Sequence, residues 1–275
     1  MARTIETATS DLIAQVGDDG VGIITMNRPE RRNAMTGAML SGLATAIAEM
    51  ETAKDVRCVV LTGAGGAFCA GGDVKGFAEG GGAAGGSSSW DAGVHEQRLN
   101  HRATSGALFH MPKPTIAALP GAAAGAGLAL ALACDMRIAI DTAIMTTAFA
   151  KVGLAGDYGG TWLLTHLVGP ARAKELYYLS DRIDMPTALD IGLVNRVSSA
   201  TTFESDWRRL AARLAAGPTI AYRYMKENIN RSVDGDLATC LDLESTHHRH
   251  TGTTEDHREA SCAFVEKRDP VFRGC

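Results

Sequence analysis

At 275 residues, with 45% hydrophobic and 21% charged side chains, the chain can bury a full core as one large domain or as one domain with an appendage, which excludes a disordered or fibrous protein. A formal net charge of −4 supplies no basic field for gripping a phosphate backbone, which excludes nucleic acid as a general partner. The six cysteines, Cys58, Cys69, Cys134, Cys240, Cys262 and Cys275, are scattered and form no CxxC pair. They read as reduced, mostly buried thiols of a cytoplasmic protein, and the first residues show no apolar run behind a basic start that would mark a secretory signal.

Alternating apolar positions in residues 12–16 and 21–26, separated by Gly17-Asp18-Asp19-Gly20, predict a β-hairpin. Thr36 is placed to cap a helix whose apolar face is Met39, Leu40, Leu43, Ile47 and Met50. Cys58-Val59-Val60-Leu61 predicts a short, fully buried strand, and buried strands that feed helices indicate an α/β architecture. Residues 76–93 contain GGGAAGGSSS, too rich in glycine and serine for a regular element, so a mobile surface loop or a lid is expected there. Residues 115–134 are uncharged over a span that could cross a membrane, but Pro120, Gly121, Gly125 and Gly127 interrupt them. They read as a buried strand, a tight turn and a buried helix, with no membrane partner.

From about residue 201 only helical patterns remain. Phe203, Trp207, Leu210, Ala211 and Leu214 form one apolar stripe, and helices are expected over 218–231, 236–247 and 254–267. The expected organisation is therefore a core over residues 1–200 and a helical region over 201–275.

Two glycine-rich turns, residues 63–73 (GAGGAFCAGGD) and 121–127 (GAAAGAG), each follow an apolar strand and precede a helix. Small residues let backbone approach a ligand, and N–H groups at a helix start carry partial positive charge, so the pair suits an oxyanion. Either turn alone reads first as a tight strand-to-helix connection. A dinucleotide fingerprint is not completed, because Leu130 stands where the third glycine belongs, and the chain holds neither a Walker A loop nor a GxSxG elbow. His247, His248, Arg249 and His250 face different sides of one predicted helix and lack partners for a metal set, so a solvated or inter-subunit helix face is expected there and no metal site. His95, His101 and His110 fall on a predicted helix that could border a pocket, while Lys151 and Arg137 read as surface charges.

Met26-Asn27-Arg28-Pro29 with Arg32-Asn33-Ala34-Met35, AFCAGGDVK at 67–75, PGAAAGAGLALALACD at 120–135, GDYGGTWLLTHLVG at 156–169 and AFVEKRDP at 263–270 resemble, in order and spacing, the crotonase superfamily, the enoyl-CoA hydratase/isomerase family. The resemblance covers nearly the whole chain. It implies a spiral of β-β-α turns followed by a C-terminal helical region that serves oligomerisation and CoA contact. It implies an acyl-CoA thioester substrate, with coenzyme A as part of that substrate and no permanently bound cofactor. By the same resemblance Gly72 and Ala126 would donate the two oxyanion-hole N–H groups. Arg28, Arg32, Ala34, Ala70, Asp73, Val74 and Lys75 would line the CoA channel, and Phe264 and Lys267 would reach CoA, often from a neighbouring subunit of a homotrimer or dimer of trimers.

The departures from the family pattern bear on the reaction. Hydratases of this family use two glutamates, and Ala129 and Phe149 stand at those positions here, so neither can move a proton. Asp157 stands where isomerases of the family carry an aspartate, which points to double-bond isomerisation with Asp157 as acid and base. Burial beside Phe149, Tyr158 and Trp162 would raise its pKa. A capping or turn role ahead of a helix over residues 160–167 is the plain alternative, and a nucleophilic role, as in the family's dehalogenases, is a third. At the level of the whole protein, the alternatives to an isomerase are a hydratase with differently placed acid and base groups, and a CoA-binding protein with little catalysis.

Overall fold

The computed structural model describes residues 3–73 and 89–275. The predicted hairpin forms as β2 (Leu12–Val16) and β3 (Val21–Met26), antiparallel, with β1 (Arg3–Ile5) antiparallel on the outer side of β2. Four parallel strands extend the sheet from β3: β4 (Cys58–Gly63), β5 (Thr115–Leu119), β7 (Met136–Ile140) and β9 (Arg196–Ser198), in the order β1-β2-β3-β4-β5-β7-β9. A second, two-stranded sheet pairs β6 (Ala123–Ala124) with β8 (Met145–Thr146).

Single bridges extend that small sheet on both sides: Met35 to Gly72, Cys69 to Ala123, and Met145 to Ile183. Each turn of the chain therefore runs a long strand, a short bridging strand and then a helix. α1 (Gly37–Thr52) follows β3, α2 (Trp90–His101) follows β4, and α4 (Ala126–Ala133) follows β5 and β6. Thr36 caps α1 as predicted, its hydroxyl accepting from Met39 N at 3.0 Å. Between α2 and the short α3 (Ala107–His110) the helical ladder slips into a π-turn at Arg102–Gly106.

The strands of the large sheet are buried on both faces because two clusters sandwich them. Val59 and Leu61 point into the cluster that contains α1 and α4, whereas Cys58 and Val60 point with Ile116, Ala118 and Ile138 toward Phe203, Trp207, Leu210 and Ala211 of α8 (Phe203–Ala215). The period of two along a strand thus explains why CVVL has no polar position. After β8 come α5 (Gly160–Val168), α6 (Pro170–Leu179) and α7 (Met185–Asp190). The chain ends in α8, α9 (Thr219–Ser232), α10 (Leu237–Thr251) and α11 (Glu255–Glu266).

Three expectations are corrected. Trp90 opens α2 with Ser89 as its cap, so the glycine- and serine-rich stretch expected to run to residue 93 gives way to a helix by Trp90; its residues 76–88 lie outside the described ones. Arg137 is not a surface charge. It is 3% exposed, with Nε donating to Leu193 O and Nη1 to Cys134 O, so carbonyls meet its buried guanidinium. His247 likewise leaves the expected solvated or inter-subunit face, being buried within the chain, packed on Tyr224 and hydrogen-bonded to Asn228 Oδ1 at 2.6 Å, whereas His248, Arg249 and His250 are exposed. Cys58, Cys69 and Cys134 are buried, whereas Cys262 and Cys275 are exposed. Among the described residues no helix is long and apolar enough to cross a membrane.

Candidate active site

The two glycine-rich turns meet. Phe68 N and Cys69 N both donate to Ala122 O, and Ala124 N donates back to Cys69 O at 2.9 Å. The contact is close enough to demand glycine: a Cβ at Gly121 would lie 2.0 Å from Gly66 O, and one at Gly127 would lie 2.5 Å from Cys69 O. At Gly71, with φ +91°, a Cβ would lie 2.8 Å from Ala124 O and 3.5 Å from Ala126 N. The loop that carries Gly72 therefore runs directly over the N-terminus of α4.

Gly125 precedes that helix at φ 53°, ψ −125°, a conformation open to glycine and closed to residues with a Cβ. Ala126 is the first helical residue, and Ala129 N donating to Gly125 O closes the first turn, so the N–H of Ala126 has no acceptor within its helix. Among the described residues neither Ala126 N nor Gly72 N donates to a backbone acceptor.

A buried amide holds the first turn in shape. Asn33, fully buried and at φ 57°, shares its two Nδ2 hydrogens among Ala64 O, Ala67 O and Phe68 O at 2.8–3.2 Å, while Oδ1 accepts from Arg28 N. Of the residues expected along a CoA channel, five gather around this clamp. Arg28 donates to Ala34 O at 2.7 Å and faces Asp73 Oδ2 at 3.7 Å, and Ala70 N donates to Arg32 O at 2.9 Å. Val74 and Lys75 lie outside the described residues. Phe264 is 85% exposed on α11, and Lys267 ends that helix in a left-handed conformation.

Asp157 sits in a turn of unusual backbone: Gly156, Tyr158 and Gly159 all have positive φ, and for a buried tyrosine at φ 49° that is strain retained by its surroundings. Gly159, not Asp157, occupies the cap position of α5, with no side-chain cap, so the capping role is set aside, whereas the turn role is met by the backbone, Gly160 N donating to Asp157 O at 2.9 Å. Asp157 Oδ1 is buried and has no hydrogen-bond partner. Burial pushes its carboxyl up to about 6. The surroundings are apolar and aromatic. Phe149, 6% exposed, approaches Gly125 and stacks on Tyr177 with centroids 5.9 Å apart. Ala129 lies where a Cβ on Gly160 would meet it at 3.0 Å, with the Tyr177 hydroxyl at 2.8 Å from the same point. Burial and then Asp157's own charge push the phenols of Tyr158 and Tyr177 upward.

A family model described as enoyl-CoA hydratase/isomerase matches residues 17–275. The chain belongs to the enoyl-CoA hydratase/isomerase family. It is 38% identical over 259 residues to the 1,2-epoxyphenylacetyl-CoA isomerase of Escherichia coli, covering 94% of this chain and 96% of that protein. It is 36% identical over 263 residues to the mitochondrial enoyl-CoA hydratase domain-containing protein 2 of Homo sapiens, covering 94% and 87%. The crystal structure of an enoyl-CoA hydratase from Bacillus anthracis superposes with a TM-score of 0.88 at 32% identity, covering 97% of this chain and all of that one. The fold is thus the crotonase fold, and the names among its relatives include both hydratase and isomerase.

Elsewhere in this enoyl-CoA hydratase/isomerase family member, a recess of about 920 Å³ opens beside the Asp157 turn, lined by His101, Phe109, His110, Tyr158 and Trp162. His101 and His110 therefore border this recess, and His95 is not among its lining residues. The sequence singled out neither Tyr177 nor the Asn33 clamp. Tyr177 carries no local signal, because only the packing of α6 on the turn at 149–152 brings it in. Asn33 offers one weak clue, a lone amide between charged and apolar residues.

Proposed function

We propose that this protein processes acyl-CoA thioesters and is an enoyl-CoA double-bond isomerase in which Asp157 moves the proton. The proton on the carbon next to a thioester carbonyl is too weakly acidic for an unaided carboxylate, so charge must be stabilised as it forms on the carbonyl oxygen. The N–H groups of Gly72 and Ala126 are assigned that task. One such donor is worth about 3–4 kcal/mol in comparable sites, and a backbone donor needs no reorganisation during the reaction. Asp157 in its ionised form takes the proton from C2 of a 3-enoyl thioester, the electron pair delocalises onto the thioester oxygen, and the protonated carboxyl returns the proton at C4 to give the 2-enoyl product. Coenzyme A enters as part of the substrate and leaves with it.

The observation that carries this reading is the half-buried Asp157 carboxyl, whose Oδ1 is fully buried without a hydrogen-bond partner, while Ala129 and Phe149 offer no second proton carrier. A lone carboxyl suits transfer of one proton between two carbons of one substrate. Placing and splitting a water molecule calls for two groups. A homo-oligomer is part of the proposal, supported by the apolar side chains that the C-terminal helices expose, among them Ile229, Leu237, Phe264 and Val265. The test is a coupled assay of 3-enoyl-CoA isomerisation and 2-enoyl-CoA hydration on wild type and Asp157→Ala. Isomerisation should fall by roughly 10²–10⁴ in kcat. Isomerisation that survives the change removes Asp157 from its role, and hydration as the dominant wild-type activity replaces the isomerase reading.

A further inference from the structure

Two turns have to keep a fixed separation for the proposed reaction: residues 121–127, which present Ala126 N, and residues 156–160, which carry Asp157. No backbone hydrogen bond among the described residues joins them. The last turn of α6 connects with both. Gly125 N donates to Thr146 O at 3.1 Å. Thr146 Oγ1 in turn donates to Ser180 O at 3.0 Å, and Thr147 Oγ1 donates to Leu176 O at 2.8 Å. Ser180, which ends α6 at φ 50°, donates from Oγ to Tyr177 O at 3.1 Å, and the same Oγ lies 3.1 Å from Thr147 Oγ1. Thr147 and Ser180 are buried, and a buried network whose members all have partners is rigid. The end of α6 is thereby fixed to β8, the strand that holds the glycine turn.

Tyr177 leaves this pinned turn toward Asp157. Its ring stacks on Phe149, which itself approaches Gly125. A Cβ at Gly156 would lie 3.2 Å from Tyr177 Cε1, and one at Gly160 would lie 2.8 Å from the Tyr177 hydroxyl. The ring therefore touches the turn on both sides of Asp157, and glycine at those two positions leaves it room. Ala129 Cβ borders the point at Gly160 at 3.0 Å, so a short residue at 129 belongs to the same fit. Gly156, Tyr158 and Gly159 all have positive φ, and a turn of that kind persists only where its surroundings hold it.

We infer that Tyr177 is a positioning residue: its ring, anchored through Thr146, Thr147 and Ser180 to the strand that holds Gly125, sets where the Asp157 carboxyl stands relative to Ala126 N. The inference rests on the proton-transfer reading above and adds the part that holds the proton carrier in place. Tyr177 moves no proton itself, since burial and then the charge of Asp157 push its phenol upward and keep it neutral. The titratable groups that sense Asp157 are Tyr158 on its own turn and Tyr177 on α6, and its own shift comes from burial. Removing the ring would both loosen the turn and let water reach the carboxyl.

The test is turnover of a 3-enoyl-CoA ester by wild type, Tyr177→Phe, Tyr177→Ala and Asp157→Ala between pH 4 and 8, well below each Tm, beside denaturant melts over the same range. Tyr177→Ala should lower kcat by roughly 10²-fold with KM changed by less than about threefold, because a displaced group loses rate more than binding. The pH at which its turnover reaches half the plateau should fall from about 6 toward 3.8. Its melts should lose part of the wild-type decline in stability between pH 4 and 6, a reading that does not depend on turnover. Tyr177→Phe keeps the ring and should stay within about threefold of wild type with an unchanged profile. If Tyr177→Ala does not fold, Tyr177→Leu, which cannot span from Gly156 to Gly160, is read in its place. Wild-type turnover in Tyr177→Ala beside an inactive Asp157→Ala overturns this inference alone. So does a loss of kcat with an unmoved pH profile, or a loss in Tyr177→Phe as large as that in Tyr177→Ala. A fully active Asp157→Ala removes the proton-transfer reading and this one with it.

Discussion

The glycine-rich turns and the Asp157 turn contribute to one candidate site by opposite means. At residues 63–73 and 121–127 side chains have been removed so that two stretches of backbone touch; a Cβ at Gly121 would lie 2.0 Å from Gly66 O. At residues 149–160 side chains have been brought in, with Phe149, Tyr158 and Tyr177 around a half-buried carboxyl whose Oδ1 is out of reach of water and has no hydrogen-bond partner. The first region offers charge stabilisation that any residue's N–H could supply, provided the backbone is placed. The second offers a proton carrier whose chemistry is set by its surroundings. Substitutions should therefore fail differently in the two regions, through geometry in one and through protonation in the other.

The largest effect on stability is expected for Gly121→Ala. The added methyl collides with Gly66 O and its carbon at 2.0 and 2.9 Å, both backbone atoms that can yield only if the turns move apart. Overpacking of this kind costs about 3 kcal/mol, or roughly 6–12 °C in Tm at this chain length. Because Gly72 lies at the end of the displaced loop, kcat should also fall by roughly 10²-fold, the usual penalty of an ångström's misplacement. Thermal melts and turnover measured well below Tm would check both. A folded variant of full activity would show that the distance between the turns does not matter to catalysis.

The same contrast explains what could be read before the structure. The hairpin, α1 with its Thr36 cap, the two-faced β4 and the stripe of α8 were legible because each is written in local periodicity. The glycine turns were legible as jointly suited to an oxyanion, but which of their N–H groups would act came only through resemblance, since contact between residues 66–69 and 121–127 is set by the stacking of successive spiral turns. The surroundings of Asp157 were half legible: Phe149 and Tyr158 are near in sequence, but Tyr177 arrives on α6. Arg137 misled because an arginine between apolar residues looks like an outward-facing position, and the carbonyls of Leu193 and Cys134 that make its burial tolerable lie in other elements.

A smaller effect, and one of opposite sign for stability, is expected for Asp157→Asn. The carboxyl titrates at about 6 in the folded chain against 3.8 for the free group, so the folded state binds the proton more tightly. Stability is then greatest below the unfolded value and is lost as pH rises from about 4 through about 6, because the ionised form is the one that burial penalises. A shift of about two units corresponds to at most about 3 kcal/mol, and partial solvent access brings the expected gain of Asp157→Asn at pH 7.5 to about 1–3 kcal/mol. Denaturant melts across pH 4–8 should show a decline in wild type that the variant lacks. Turnover of wild type should rise with pH up to about 6 and level off above it, since the ionised form is the base. A flat stability profile with a pH-independent rate would mean that Asp157 is hydrated in solution and its role lost.

The smallest effect is expected where the two regions meet, at Ala126. If the residue matters only for its N–H, Ala126→Gly keeps the group that acts and changes only the ease of starting α4, at a cost of about 0.5–1 kcal/mol. Turnover should stay within about threefold of wild type and Tm should fall by only a few degrees. The neighbouring Gly125→Ala should behave otherwise, because φ 53° and ψ −125° are closed to alanine and the peptide that presents Ala126 N would have to turn. Measured side by side, a silent Ala126→Gly and a damaged Gly125→Ala would separate backbone presentation from side-chain contact. A large loss from Ala126→Gly alone would mean that the methyl group itself meets the substrate.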